Sequence, residues 1–228
     1  MKRVKVIFFD AAGTLLHVPR GVGFHYAAIA ARHGWTIEPA AIGRAFREAW
    51  LATPAAPASH DPRPDDGRGW WHELAGRVAA QAEAPAGVDF EAWFAELYAH
   101  FAEPGVWALY QEVGDVLDLL GHDYRLAVLS NFDGRLRTIL AQFGLLDRFE
   151  HLFISSELGA DKPDPWLFDH VLTAVGVAPE EALLIGDDPE RDYAAAQRAG
   201  WSAFLLDRPT RNLRTFLLAL NRARSTTS

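Results

Sequence analysis

The chain has 228 residues, half of them hydrophobic and 23% charged, with a formal net charge of −8. That balance excludes a disordered or collagen-like chain, and the acidic excess argues against a nucleic-acid polymer or an anionic membrane as partner. Cysteine is absent, which excludes disulfides, a thiol nucleophile and Cys-ligated zinc, and no apolar run approaches the roughly 18 residues of a membrane helix.

Residues 4–9, VKVIFF, are apolar at nearly every position, the pattern of a strand buried on both faces of a parallel sheet. No cleavable apolar region precedes it, so a cytoplasmic location is expected. The strand ends in Asp10-Ala11-Ala12-Gly13-Thr14. A carboxylate just past such a strand can be a nucleophile, a metal ligand or a turn residue, and Gly13 permits a tight turn away from it.

From about residue 15 to residue 107 the pattern changes. Helical periodicity covers 26–33, 42–51, 70–81 and 90–101, with no strand among them. This predicts a helical domain, 15–107, inserted between core segments 1–14 and 108–228. It would sit over the carboxyl edge of the sheet, where open α/β folds bind ligands. The biased segment 53–69 (TPAAPASHDPRPDDGRG) is expected to be a flexible loop. Trp70, Trp71 and Trp93 are expected in the bundle core, and His25, His72 and Glu73 as solvated or core-edge side chains of its helices.

Further strands are predicted at 126–129, 152–155, 182–185 and 203–206. Helical patterns at 113–120, 136–143, 166–175 and 191–199 lie between or beside them. Strands alternating with helices read as βαβ units. The expected fold is therefore α/β: a Rossmann-like, doubly wound parallel sheet core with an inserted α-helical cap. The tail, 212–222, is expected to be a last amphipathic helix, with 225–228 frayed.

Polar residues cluster at the ends of these strands. Ser130-Asn131 follows one; as turn formers they need no function, but a hydroxyl and N–H groups there suit an anion. Lys162 stands before Pro163, ahead of an N-cap and N1 pair, Asp164-Pro165. The chain's other lysines are Lys2 and Lys5. Gly186-Asp187-Asp188 follows the 182–185 strand. Asp188-Pro189 is again a cap pair, which leaves Asp187 and Asp192 without that explanation. Mg²⁺ typically takes one or two carboxylates plus waters and phosphate oxygens. Carboxylate, hydroxyl, ammonium and carboxylate together suit phosphoryl transfer to Asp.

With these motifs in this order, the sequence resembles the haloacid dehalogenase superfamily of hydrolases. FFDAAGTLL is similar to its first motif, LAVLSN to its second, Lys162-Pro163-Asp164-Pro165 to its third and LLIGDDPERD to its fourth. The insertion resembles a type-1 helical cap. The D-A-A-G-T form, the Trp70-Trp71 pair and Ser130-Asn131-Phe132-Asp133 look most like the branch named after a rhythmically expressed gene of insects. The resemblance implies Asp10 as nucleophile and Mg²⁺ ligand, Ala12 as a carbonyl ligand, Asp187 as the second carboxylate, and Asp192 supporting the metal. It implies Ser130, Asn131 and Lys162 on the phosphoryl group, with Lys162 also paired to Asp10. The substrate would be a small phosphorylated metabolite. The Gly21-Val22-Gly23 turn would point into the site and set specificity.

One departure stands out. Phosphatases of this family usually carry a second Asp two positions after the nucleophile, as general acid and base; here that position is Ala12. Such a loss typically costs about 10²–10⁴ in rate, least for leaving groups that need no protonation. Phosphonoacetaldehyde hydrolases also have Ala there, but they use a cap lysine, and no lysine lies between Lys5 and Lys162. The 2-haloacid dehalogenases need no metal and replace the fourth-motif acids, whereas Asp187 and Asp192 are present. A metal-independent dehalogenase and a non-catalytic phosphate-binding regulatory protein remain the alternatives.

Overall fold

The computed structural model describes residues 4–225. Its centre is strand β1 (Val6–Phe9), buried along its whole length. Next come β2 (Leu16–His17) and four helices, α1 (Val22–Arg32), α2 (Pro39–Ala52), α3 (Arg68–Gln81) and α4 (Phe90–His100). β3 (Ala108–Leu109) and α5 (Val113–Gly121) lead back to β4 (Arg125–Ser130), α6 (Arg135–Gln142), β5 (His151–Ile154) and α7 (Ser155–Leu158). The chain closes with α8 (Pro165–Val175), β6 (Ala182–Gly186), α9 (Ala195–Arg198), β7 (Ser202–Leu205) and α10 (Leu213–Ser225). The fraying expected for the tail otherwise falls on residues 226–228, outside the described residues.

Five strands pair in parallel in the order β5-β4-β1-β6-β7. The order reverses at β1, so its carboxyl end opens at a topological switch point, the usual ligand site of such sheets. The continuous apolar strands now have their reason. Ile7 and Phe9 face one core layer with α5, α6 and α10, while Val6 and Phe8 face the other with α8 and α9. β4 divides in the same way, with Leu126 and Val128 on the first side and Ala127 and Leu129 on the second. Each fully buried Phe or Leu contributes roughly 1.5–3 kcal/mol relative to exposure.

The insertion has a core of its own. Tyr26, Ile29, Trp35, Ile42, Leu74 and Trp93 are buried together among α1–α4. Two short strands that periodicity could not announce, β2 and β3, pair antiparallel where the insertion leaves and rejoins the sheet. Two residues each are too few to show an alternation.

The segment expected to be a flexible loop is instead a strap laid on the sheet domain. The Ser59 and His60 N–H groups donate to the Gly159 carbonyl, and the Arg63 N–H to that of Ser156. Arg63 pairs with Asp161 at 2.7 Å. Asp66 accepts from the Ser156 hydroxyl at 2.5 Å and the Gly134 N–H at 2.8 Å. His60 stacks on Trp166, ring centres 4.3 Å apart. These partners lie far away along the chain, so composition alone reads the segment as loose.

Candidate active site

Four strand ends and the loops after them converge at the carboxyl edge. Asp10 is placed by β1 and Ser130 by β4. Lys162 comes from the loop between α7 and α8, and Asp187 and Asp192 follow β6. The turn Pro189–Ala194 is a π-helix, in which the Asp192 and Tyr193 N–H groups both reach the Asp188 carbonyl. Asp188 caps this turn, accepting from Glu190 and Arg191, and Asp164 caps α8 through Trp166. Both caps match the sequence reading. The widened turn carries Asp192 inward, where it is buried.

Lys162 is the hub. Its ammonium is buried and donates to Asp10 Oδ1 at 2.8 Å, Asp192 Oδ1 at 2.5 Å and the Leu129 carbonyl at 2.9 Å. The Ser130 hydroxyl donates to the same Asp10 Oδ1 at 3.0 Å. Neither donor goes to Oδ2. Asp192 Oδ2 accepts from the Asp188 N–H at 3.0 Å. Asn131 does something the sequence did not suggest: its amide pairs at both ends with the Lys162 backbone, at 2.8 and 2.7 Å. Its side chain is thereby committed to fixing the lysine loop.

Two carboxylates thus share one ammonium, and a third, Asp187, stands near them without it. Burial pushes the Asp10 carboxyl up to about 7, against the pull of Lys162 and with the help of Asp192 and Asp187. Asp187 is also raised, by desolvation and then by Asp192. Burial works against the Lys162 ammonium, but Asp10 and Asp192 outweigh it and hold its pKa above the ordinary range. The surplus negative charge suits a cation. Asp10, Asp187 and Asp192 each offer an oxygen within 4.8 Å of the others. Asp192 is spent on Lys162 and Asp188, so Asp10 and Asp187 are the carboxylates left to face an ion. Gly13, at φ 87°, makes room for this: a Cβ there would overlap the Asp187 carboxylate. The donor set, all hard oxygen, fits Mg²⁺.

Arg208 was not foreseen. Its guanidinium donates to the Gly13 and Thr14 carbonyls at 3.2 and 2.8 Å, pairs with Glu112 at 2.7 Å and lies over the Tyr110 ring. It pins the first-motif loop from the far end of the sequence, and no local pattern signals such a contact.

A cavity of about 600 Å³ opens beside Ala12, Gly13 and Asp187. Trp71 lines it, whereas Trp93 is fully buried in the bundle core. The shared core expectation holds for Trp93, while Trp71 is only partly buried and turns a face to the cavity. Trp70, also partly buried, packs on that core and donates its indole N–H to the Pro54 carbonyl at 2.8 Å. Gly21 and Val22 line the cavity, as the resemblance implied for that turn. Gly23 does not: it is buried in the α1–α2 crossing, where a Cβ would overlap the Pro39 carbonyl. Enlarging Gly23 therefore disturbs cap packing, and Val22 is the position that addresses the cavity. His25 is buried and bonded to His100 at 2.9 Å, and His72 pairs with Glu91 at 2.8 Å. Neither lines the cavity.

The chain is similar to known proteins over most of its length. Residues 4–200 match the family described as haloacid dehalogenase-like hydrolase. The chain is 33% identical to haloacid dehalogenase-like hydrolase domain-containing protein 3 of Bos taurus, over 91% of this chain and 83% of that one. It is 28% identical to the rhythmically expressed gene 2 protein of Drosophila melanogaster, over 90% and 84%. The hydrolase YfnB from Bacillus subtilis, in a structure bound to magnesium, superposes with a TM-score of 0.79. That alignment covers 96% of this chain and 100% of the other at 19% identity, a likeness of fold.

Proposed function

The chain belongs to the haloacid dehalogenase-like hydrolases, and on that premise we propose that it is a Mg²⁺-dependent phosphatase of small phosphorylated metabolites, working through an aspartyl-phosphate on Asp10. The observation that carries this reading is the imbalance of three carboxylates against one ammonium, in a cluster whose Asp187 lines the cavity. Phosphoryl transfer needs that cluster, since a cation held there offsets charge on the phosphoryl oxygens. Displacement of halide from a haloacid needs no such cation, so the cluster speaks against the dehalogenase alternative.

In this mechanism the Asp10 oxygen free of Lys162 and Ser130 attacks phosphorus. Ser130 and Lys162 hold the transferred oxygens while charge develops. Asp192 orients Lys162, and Asn131 fixes the loop that carries it. Asp10 and Asp187, with the Ala12 carbonyl, would hold the cation. The helical cap excludes water from the reacting group. Ala12 supplies no proton to the leaving group.

The test is phosphate release from an activated aryl phosphate with Mg²⁺ or chelator, and with Asp10→Asn. Mg²⁺-dependent turnover that Asp10→Asn abolishes is the expected result. A second reading rests on Ala12: a protein that binds phosphate without turning it over. Tight binding of vanadate with no product from any ester would favour it.

A further inference from the structure

The cavity and Ala12 together bear on what leaves. The walls are largely aromatic, with Trp50, Trp71, Phe94, Tyr98, Trp107 and Phe132, and Arg135 among them lies over the Tyr98 ring at 3.6 Å. About 600 Å³ lies within the range of sites for drug-sized ligands. Leu51, 86% exposed, extends the apolar surface at the end of α2. Flat rings favour a planar, apolar body.

Proton donors are scarce along these walls. Ala12 offers a methyl where an acid would stand. Tyr98 is pushed up to about 12, by burial first and then by Asp133, so its phenol stays neutral and weakly acidic. Asp187 faces the cation site. His17 lines the cavity from β2, with its ring tilted against Tyr110, centres 4.7 Å apart. A leaving group must therefore depart with little help. A phenol ionises near pKa of about 10, whereas an aliphatic alcohol resembles water, at about 16.

We propose that the substrate is an aryl phosphate monoester, with a planar aromatic leaving group held in this cavity and expelled as its phenolate. The inference rests on the phosphatase reading and narrows it. An Asp10 oxygen forms a bond to phosphorus, and the bond from phosphorus to the phenolic oxygen breaks with its electron pair on that oxygen. Water then displaces Asp10 from phosphorus, giving inorganic phosphate and free Asp10. The proton that this water releases balances the one the phenolate takes up from solvent.

The experiment compares kcat/KM for phenyl, 1-naphthyl, benzyl and cyclohexyl phosphates. Benzyl phosphate keeps the ring but has an aliphatic leaving group. Phenyl and naphthyl phosphates are expected to exceed benzyl and cyclohexyl by about 100-fold or more. Naphthyl should exceed phenyl. Trp71→Ala should shrink that naphthyl preference by roughly 3–10-fold, and Val22→Phe, which puts a ring into the cavity, should shrink it too. Benzyl turnover within about threefold of phenyl, with both lost in Asp10→Asn, overturns this inference and leaves the phosphatase reading standing. A selective loss of benzyl turnover in His17→Ala would then identify the proton donor. An unchanged naphthyl preference in both wall variants also overturns it. Absence of Asp10-dependent release from every ester overturns the phosphatase reading itself, and this inference with it.

Discussion

The sheet edge and the cavity wall meet at Ala12 and Gly13 but are built on opposite terms. At the edge the charged groups Asp10, Asp192 and Lys162 are interlocked. Lys162 holds Asp10 and Asp192, and Asn131 holds Lys162. The wall is largely aromatic, Arg135 with its bonds to Asp133 and the Tyr98 carbonyl apart, and its side chains come largely from the inserted helices. A network of interlocked charges tolerates little change, because removing one member strands the rest. An apolar wall can be recut with modest loss. The fold thus separates a reaction that cannot drift from a specificity that can.

That contrast can be broken or sharpened by substitution. The largest effect is expected for Lys162→Met, which leaves Asp10 and Asp192 buried without their ammonium. Breaking a buried pair in this way costs about 3–5 kcal/mol, so urea unfolding should show a loss of that size and phosphate release should vanish. Mg²⁺ should recover part of the stability, because a cation offsets the stranded carboxylates. Trp93→Ala should cost a similar ~3–5 kcal/mol from the cap core, without touching the carboxylate cluster. Gly13→Ala pushes a Cβ into Asp187 and forces an unfavourable φ. Its Mg²⁺ affinity, read by titration calorimetry, should fall about 10–100-fold, while the core packing persists. The smallest effect is expected from Trp71→Ala, whose stability loss should be well below that of Trp93→Ala because its ring is only partly buried. If Trp71→Ala unfolds the protein as readily as Trp93→Ala, the wall is structural and the contrast fails.

The edge was legible in the sequence and the wall was not. Asp10, Ser130 and Asp187 each sit at or just beyond the end of a strand, and strands buried on both faces announce themselves as apolar runs, whereas Lys162 lies in the loop between α7 and α8 and is marked by Pro163 and the cap pair that follow it. The π-helical placement of Asp192 is not visible in spacing, although the residue itself was singled out. For Asn131 the family resemblance implies a place on the phosphoryl group. Its commitment to the Lys162 backbone depends on two loops meeting in space. The predicted helix 26–33 begins earlier, at Val22, since Gly21-Val22-Gly23 reads as a turn while Gly23 lies inside a helix crossing. The strap at 59–67, Arg208 and the split roles of Trp71 and Trp93 share one cause. Each is decided by a partner remote in the chain, and periodicity reports only neighbours.

The measurement closest to the central claim is steady-state phosphate release from phenyl phosphate by the wild type and Asp10→Asn, each with Mg²⁺ and with chelator. The account predicts turnover by the wild type with Mg²⁺, and none in the other three conditions. Equal turnover by Asp10→Asn, or none from folded, Mg²⁺-bound wild type, would contradict it.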